Sequence, residues 1–251
     1  MESPKPPPDP PSEPALPAGV APSEVRQRWR LAYRRRPDAP SLAPKEITAA
    51  WEAGLAASGL PIAGLELPAA RPRLVFGAPL PAGLAAEREL MDIFLTARSP
   101  VSSVRDAIEG ALPPGHELVE IHDVWLGAPA LSGQVAAADY RIRVRAGSGG
   151  PLDLASLETA CDRVMQAPTL PRTRDKGGRL VAYDLRPLLA GAAAVAVDPD
   201  RRGILRIRTR FDPERGVGRP EEVVAAIADL LGSPLEILDT VRERLLLIGE
   251  S

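Results

Sequence analysis

Apolar and polar residues alternate along several stretches of this chain with a period of two, as half-buried strands do. Val25–Arg35 is the first, with Gln27, Trp29, Leu31 and Tyr33 on one face. A helical period follows: Pro44–Ser58 spaces Ile47, Trp51 and Leu55 for one face, opens on a proline and stops at Gly59. Leu60–Leu67 reads as a short strand, Arg71–Phe76 as extended, and Gly77–Gly83 (GAPLPAG) as a loop. Glu89–Thr96 is a strand, and Glu117–Leu126 another. Between them Ser102–Leu112 is a serine-capped helix with Val104, Ile108 and Leu112 inward.

After a linker of small residues and proline, Gly127–Gln134, the order recurs. Ala138–Ala146 is a strand, and Leu154–Gln166 a helix with Leu157, Cys161 and Val164 inward. An extended arm at Leu170–Lys176 precedes strands at Arg179–Leu185, Ala193–Val197 and Ile204–Phe211, with a turn at Asp198–Gly203. Pro220–Leu231 is a helix with Glu221 and Glu222 in its first turn and Gly232 at its end. Ile237–Ile248 is the last strand. The pattern predicts an α+β fold of tandem ferredoxin-like (βαββαβ) units with antiparallel sheets, helices on one face and the other face open. The expected domains are 23–126 and 135–251, joined by a linker at 127–134 and preceded by a Pro-rich tail at 1–22.

Composition narrows the chemistry. The 251 residues hold one Cys and two His, which excludes a disulfide scaffold, a Cys/His zinc site and an iron–sulfur cluster held by this chain alone. No cofactor is expected. Nine of the 29 prolines lie in Met1–Pro22, which lacks the apolar core of a signal peptide. That segment is expected to be a disordered, partly polyproline tail. No apolar run approaches the about 18 residues of a membrane span, so a cytoplasmic protein is expected.

Arginine outnumbers lysine 28 to 3, yet net charge is only −2. Three strands carry Arg at alternate positions: Arg26, Arg28, Arg30; Arg141, Arg143, Arg145; and Arg206, Arg208, Arg210. Each triplet falls on one face. The central strands of a ferredoxin-like unit are neighbours, which sets Arg141–Arg145 beside Arg206–Arg210 on the open face. Like charges so placed need compensation. It can come from Asp184, Asp239 and Glu243, from the other domain, or from a polyanion such as RNA.

Other candidates are weaker. His122 adjoins Asp123, but neighbours on a strand point to opposite faces and cannot form a dyad; His116 begins the same strand. Cys161, on an apolar helix face, reads as a small buried hydrophobe. Gly147–Gly150 lacks the Lys-Ser/Thr ending of a phosphate loop. Arg172, Arg174, Lys176 and Arg179 make a basic arm open to two readings, phosphate contact or an exposed turn.

Arg71–Gly83 (RPRLVFGAPLPAG), Glu89–Leu95 (ELMDIFL), Ala111–Gly115 (ALPPG), Arg172–Arg174 (RTR) and Tyr183–Leu189 (YDLRPLL) are colinear over residues 25–248 with one known pattern. With these segments the chain resembles the radical-SAM-linked family, an uncharacterised bacterial domain. Its members are fused to, or encoded beside, a cobalamin-binding-type radical SAM protein, often near an RNase E/G-type ribonuclease. The resemblance implies an accessory domain for a radical SAM enzyme and no known reaction. Typical members carry Leu-Ser-His-Leu-Asp at the first helix and Asn-Pro-His-Pro before the Pro-rich loop. Here those places read Ser41–Ile47 (SLAPKEI) and Pro68–Arg73 (PAARPR), so the family's polar set is missing there, while Arg71, Arg73 and Asp92 match.

The expected function is therefore a non-catalytic accessory protein working with a separately encoded radical SAM protein. The candidate residues for holding an RNA or protein substrate are Arg71, Arg73, Asp92, Arg141, Arg143, Arg172, Arg174, Lys176, Arg206 and Arg208. The alternative is an RNA-processing enzyme, since tandem ferredoxin-like units also build CRISPR repeat-processing endonucleases.

Overall fold

The computed structural model describes residues 24–65, 70–147 and 152–250, except the side chain of Lys176. The segment read as a tail, residues 1–22, and positions 148–150 of the glycine loop lie outside them. The first half contains β1 (Gln27–Arg35), α1 (Pro44–Ala57), β2 (Leu74–Phe76), β3 (Ala85–Leu95), α2 (Val101–Ala111) and β4 (His116–Asp123). The second opens with β5 (Val135–Ala146), α3 (Leu154–Gln166) and a hairpin of β6 (Pro171–Lys176) and β7 (Arg179–Asp184). It continues through β8 (Leu189–Val197), β9 (Gly203–Asp212), β10 (Gly216–Val217), α4 (Pro220–Leu231) and β11 (Leu235–Leu247).

Strand order is β4-β1-β3-β2 in the first half and β11-β5-β9-β8 in the second, with every neighbouring pair antiparallel. Both are the ferredoxin-like order, and the β6–β7 hairpin is an insertion into the second. The halves share one sheet. β11 joins β3 edge to edge, in parallel, pairing Val241 with Ala85 and Arg242 with Ala86. This joint is a parallel pairing within a sheet that is otherwise antiparallel among the described residues. It also pairs two strand edges that would otherwise be free.

The helices shield two apolar clusters. Trp51, Leu55, Val104 and Ile108 pack on Leu31, Met91, Ile93 and Leu95 in the first half. Leu157, Cys161, Val164, Val223 and Ile227 pack on Ile142, Val144, Leu205 and Ile207 in the second. Burying a side chain the size of these stabilises by about 1.5–3 kcal/mol each, so the face of each helix that points inward dictates where it docks. Asp153 caps α3 by accepting from Ser156 N at 2.8 Å, and Gly232 ends α4 in the left-handed region at φ 65°.

Two local expectations are corrected. Of the expected strand Leu60–Leu67, residues 60–65 do not form one: Ile62 makes one bridge to Leu95, and Leu60 and Leu65 pack on the core, while positions 66 and 67 lie outside the described residues. The second strand is β2, from the extended stretch after Arg71. The serine cap of α2 is absent, since Pro100 occupies that position and Ser102 and Ser103 lie inside the helix. The segment expected as the linker packs on the sheet. Residues 128–134 cross the first half's open face and bury Leu131 completely.

Candidate functional site at the seam

The open face is where the arginine stripes were expected to act. Arg141 and Arg206 do oppose each other across β5 and β9. Glu243 lies with both, 2.8 Å from Arg141 and 3.6 Å from Arg206, and Glu87 adds a 2.7 Å bond to Arg141. These carboxylates hold the Arg141 pKa above its ordinary range, Glu87 leading. Asp239 pairs with Arg143, and Glu236 with Arg145 at 2.8 Å. Asp139 serves Arg208 at 2.6 Å and Arg244 at 2.9 Å. Burial works against the Asp139 charge, but the two arginines overcome it and keep its carboxyl below the usual range. The compensation therefore comes from carboxylates within the same sheet. Asp184, expected among them, instead accepts from Leu170 N and Arg186 N.

In the first half the stripe is not exposed. Asp92, fully buried on β3, accepts from Arg28 at 2.6 and 2.8 Å and from Arg30 at 2.8 and 3.1 Å. Arg28 also donates to the carbonyls of Ala128 and Pro129, and Arg30 to Gln134. Asp92, one of the substrate-holding candidates, clamps the crossing segment onto the sheet together with Arg28 and Arg30. Of that stripe only Arg26 is exposed, paired with Glu24.

The basic arm is the β6–β7 hairpin, and it docks on α4. Arg172 reaches Asp229 at 3.0 Å, and Arg174 reaches Glu222 at 3.2 Å while stacking 4.1 Å over Tyr183. Lys176 ends β6, and its side chain lies outside the described residues. Arg71 is exposed, 3.9 Å from Glu52, and Arg73 lies 4.3 Å over the Phe94 ring. The candidates whose side chains are described thus divide among four places.

The YDLRPLL segment has a structural task. Arg186 donates to the carbonyls of Met165, Ala167 and Leu189, satisfying the end of α3. Cys161 is buried, and burial, with Asp162 nearby, pushes its thiol up to about 11. His116 and His122 fall on opposite faces, because a register shift separates the Glu120 and Leu118 pairings to β1.

A different constellation lies at the seam, on the helix side. Tyr33 of β1 opposes Glu89 of β3, and Tyr140 of β5 opposes Arg242 of β11. Glu89 and Arg242 meet at 2.6 Å, so the four side chains form a buried row across four adjacent strands. Burial opposes the Arg242 charge, but the Glu89 carboxylate outweighs it and raises the pKa. Burial, reinforced by Glu89, raises that of Tyr33 well above its ordinary value, so both tyrosines stay neutral hydroxyls.

The GAPLPAG loop roofs this row. Arg242 donates to the carbonyls of Pro79 and Ala78 at 3.2 and 3.4 Å. Gly77 packs closely there: a Cβ would meet Leu245 Cδ1 at 2.9 Å, so a larger residue asks that leucine side chain to shift. Pro79 separates two cavities. One, about 410 Å³, is bounded by Tyr33, His116, Phe76, Leu80 and the start of α1 at Pro44–Thr48. The other, about 550 Å³, is bounded by Tyr140, Arg242, Arg219 and Pro220 of α4. Both are of ligand-holding size. Beneath the first, Tyr33 and Trp51 meet edge-on at 5.0 Å, and His116 sits 5.8 Å from each ring. His116 donates from Nδ1 to the Pro114 carbonyl at 3.2 Å, and burial lowers its pKa. Among the described residues no three His, Cys, Asp or Glu side chains converge to hold a metal. No helix among them is long and apolar enough to cross a membrane.

Fold and seam together define an α+β protein of two fused ferredoxin-like units with its cavities under one proline-rich loop. The chain belongs to the family described as "Uncharacterized protein conserved in bacteria (DUF2344)", whose model matches residues 28–214. No curated protein matches it. Among solved structures, a chain of "Crystal Structure of a Cbf5-Nop10-Gar1 Complex" is similar over 86% of this chain and 48% of its own, at 11% identity and a TM-score of 0.47. "Crystal structure of the archaeal box H/ACA sRNP Nop10-Cbf5 complex" follows at 9% identity, 85% and 46% coverage and a TM-score of 0.44. "Crystal Structure of an Unknown Protein from Galdieria sulphuraria" has 14% identity, 85% and 98% coverage and a TM-score of 0.26. The chain spans about half the length of the first two.

Proposed function

We propose that this chain is a non-catalytic accessory protein that holds a substrate for a separately encoded radical SAM protein, with the seam cavity beside Tyr33 as the holding site. The observation that carries the reading is the roofing of that cavity by Gly77–Gly83, the loop on which the resemblance is strongest, tied by Arg242 to the buried row. The single Cys supports the division of labour, since a cluster needs several thiolates and these must come from another chain. The test mixes this protein with the radical SAM protein encoded beside it at micromolar concentration and measures co-elution. A stable complex is expected, and Ser132→Trp at the cavity mouth is expected to keep the complex while abolishing any stimulation of the partner. Failure to associate overturns the reading.

RNA on the open face is a second arm, favoured by one observation. Seven arginines there (Arg141, Arg143, Arg145, Arg206, Arg208, Arg210 and Arg244) face five carboxylates, leaving a small positive excess. Weak binding with a shallow salt slope, lost in Arg206→Ala with Arg208→Ala, is its expected signature. Equal RNA binding by wild type and variant removes it.

A further inference from the structure

Arg35 is 2% exposed, and no carboxylate pairs with it among the described residues. Its guanidinium donates only to the carbonyls of Leu84 and Pro40, the latter at 2.7 Å, and its Nε has no partner. A buried cation balanced by carbonyl dipoles alone is an unusual expense, because the desolvation of a charge is repaid chiefly by an opposite charge. Its field is felt at the neighbouring cavity, where it acts on both Tyr33 and His116.

The cavity itself repeats the sign. Lys45 lies on its rim, at the start of α1. The nearby acids are occupied: Glu89 by Arg242, Glu46 by Ala43 N, and Glu117 by Arg34 and Arg36. Tyr33, 3% exposed, lines the cavity and makes no hydrogen bond through its hydroxyl to any described residue. The rest of the wall is mostly apolar, from Ile47, Phe76, Pro79 and Leu80, with Thr48, Ser132 and His116 as its other polar side chains.

We propose, building on the substrate-holding reading of this same cavity, that its ligand is a small organic monoanion. It has an apolar ring or chain against Phe76, Ile47 and Leu80, and a carboxylate that accepts from the Tyr33 hydroxyl. Lys45 and Arg35 balance the charge. Phosphate dianions fit less well, since the mostly apolar wall offers few donors for their additional oxygens. No bond is made or broken in this step.

The test is calorimetric titration of the intact protein with phenylacetate and with its neutral isostere phenylacetamide. Phenylacetate is expected to bind at least ten-fold more tightly, with that preference lost in Lys45→Met. Tyr33→Phe keeps the ring and its contact with Trp51, and is expected to weaken phenylacetate about ten-fold or more while leaving phenylacetamide nearly unchanged. Equal affinity for the two probes overturns the proposal, as does binding of neither, or a Tyr33→Phe effect equal for both. A decrease in melting temperature of Tyr33→Phe beyond a few degrees calls for Lys45→Met alone to decide, because that side chain is exposed. Co-elution with the radical SAM protein is read separately. Association without probe selectivity removes only the ligand class, and selectivity without association removes only the accessory role.

Discussion

Glu89 and Arg242 are 153 residues apart and meet at 2.6 Å, with both side chains about 1% exposed. They sit one on each side of the parallel joint between β3 and β11, so this buried ion pair ties the two halves on the helix side while Glu87 and Arg141 do so on the open face. Breaking one partner strands the other charge in the interior, at a cost of about 3–5 kcal/mol. Glu89→Gln and Arg242→Met are each expected to lose stability on that scale in urea unfolding. Glu89→Leu with Arg242→Met is expected to recover most of it, because two apolar groups leave no stranded charge. Single variants that cost under about 1 kcal/mol would show that the pair does not clamp the joint.

The fold was legible because strands and helices declare themselves by period. The alternation of Arg141–Arg145 and Arg206–Arg210 correctly put those side chains on the open face and Ile142, Val144, Leu205 and Ile207 toward the helices. The seam was not legible, and the reason is local. Pairing steps from Tyr33↔Glu89 to Arg35↔Ala86, so β3 carries an extra residue at Glu87–Arg88. β11 carries another between Arg242 and Arg244. Each bulge resets the parity of its strand, so counting by twos does not carry from the joint at Ala85 and Ala86 to Glu89, or along β11 past Arg242. The carboxylates that neutralise the stripes were partly visible: Asp239 and Glu243 were anticipated. Asp139, which ties Arg208 and Arg244, is on the same strand as Arg141–Arg145 and was overlooked. Arg35 gave no sign of burial, since it follows Arg34 and precedes Arg36 in a run that reads as solvated.

Asp92 holds two arginines that also grip the crossing segment, so its removal has two consequences. Asp92→Asn leaves Arg28 and Arg30 buried with a neutral acceptor, and is expected to cost about 3 kcal/mol. It is also expected to loosen residues 127–134 before the rest of the chain. Limited proteolysis checks this: new cleavage within that segment, at urea concentrations where the circular dichroism remains native, is the expected result. Cleavage elsewhere first would place the weak point outside this clamp.

Cys161 offers a reporter of the second core. It is 1% exposed, packed among Leu157, Val164 and Leu205, with its thiol raised to about 11. At pH 8 about one thiol in a thousand is ionised, and that fraction is covered by protein. The folded protein is expected to resist Ellman's reagent for hours and to react at once in denaturant. Prompt reaction under native conditions would mean that α3 lifts from the sheet far more readily than its packing suggests.

His116 gives stability a pH dependence of known sign. The ring is held neutral chiefly by burial, aided by Arg35, while the Pro114 and Pro113 carbonyls favour the proton but do not prevail. Lys45 and the neutral Tyr33 share its cavity and add no negative charge. Its folded pKa therefore lies below the ordinary 6.5, and the unfolded chain binds the proton first as pH falls. Above 6.5 both states carry a neutral ring and His116 contributes no slope. Below it stability declines until the folded ring itself takes up the proton. Melting temperature between pH 7.5 and 5.5 is expected to fall in the wild type and to fall less in His116→Gln, since glutamine does not titrate there. Carboxylates with lowered pKa, such as Asp139 and Asp212, lose their contribution only at more acid pH, which keeps the two windows apart. Parallel curves for wild type and His116→Gln would mean that the imidazolium is accommodated in the folded state, contrary to a ring packed between Tyr33, Trp51 and a buried guanidinium.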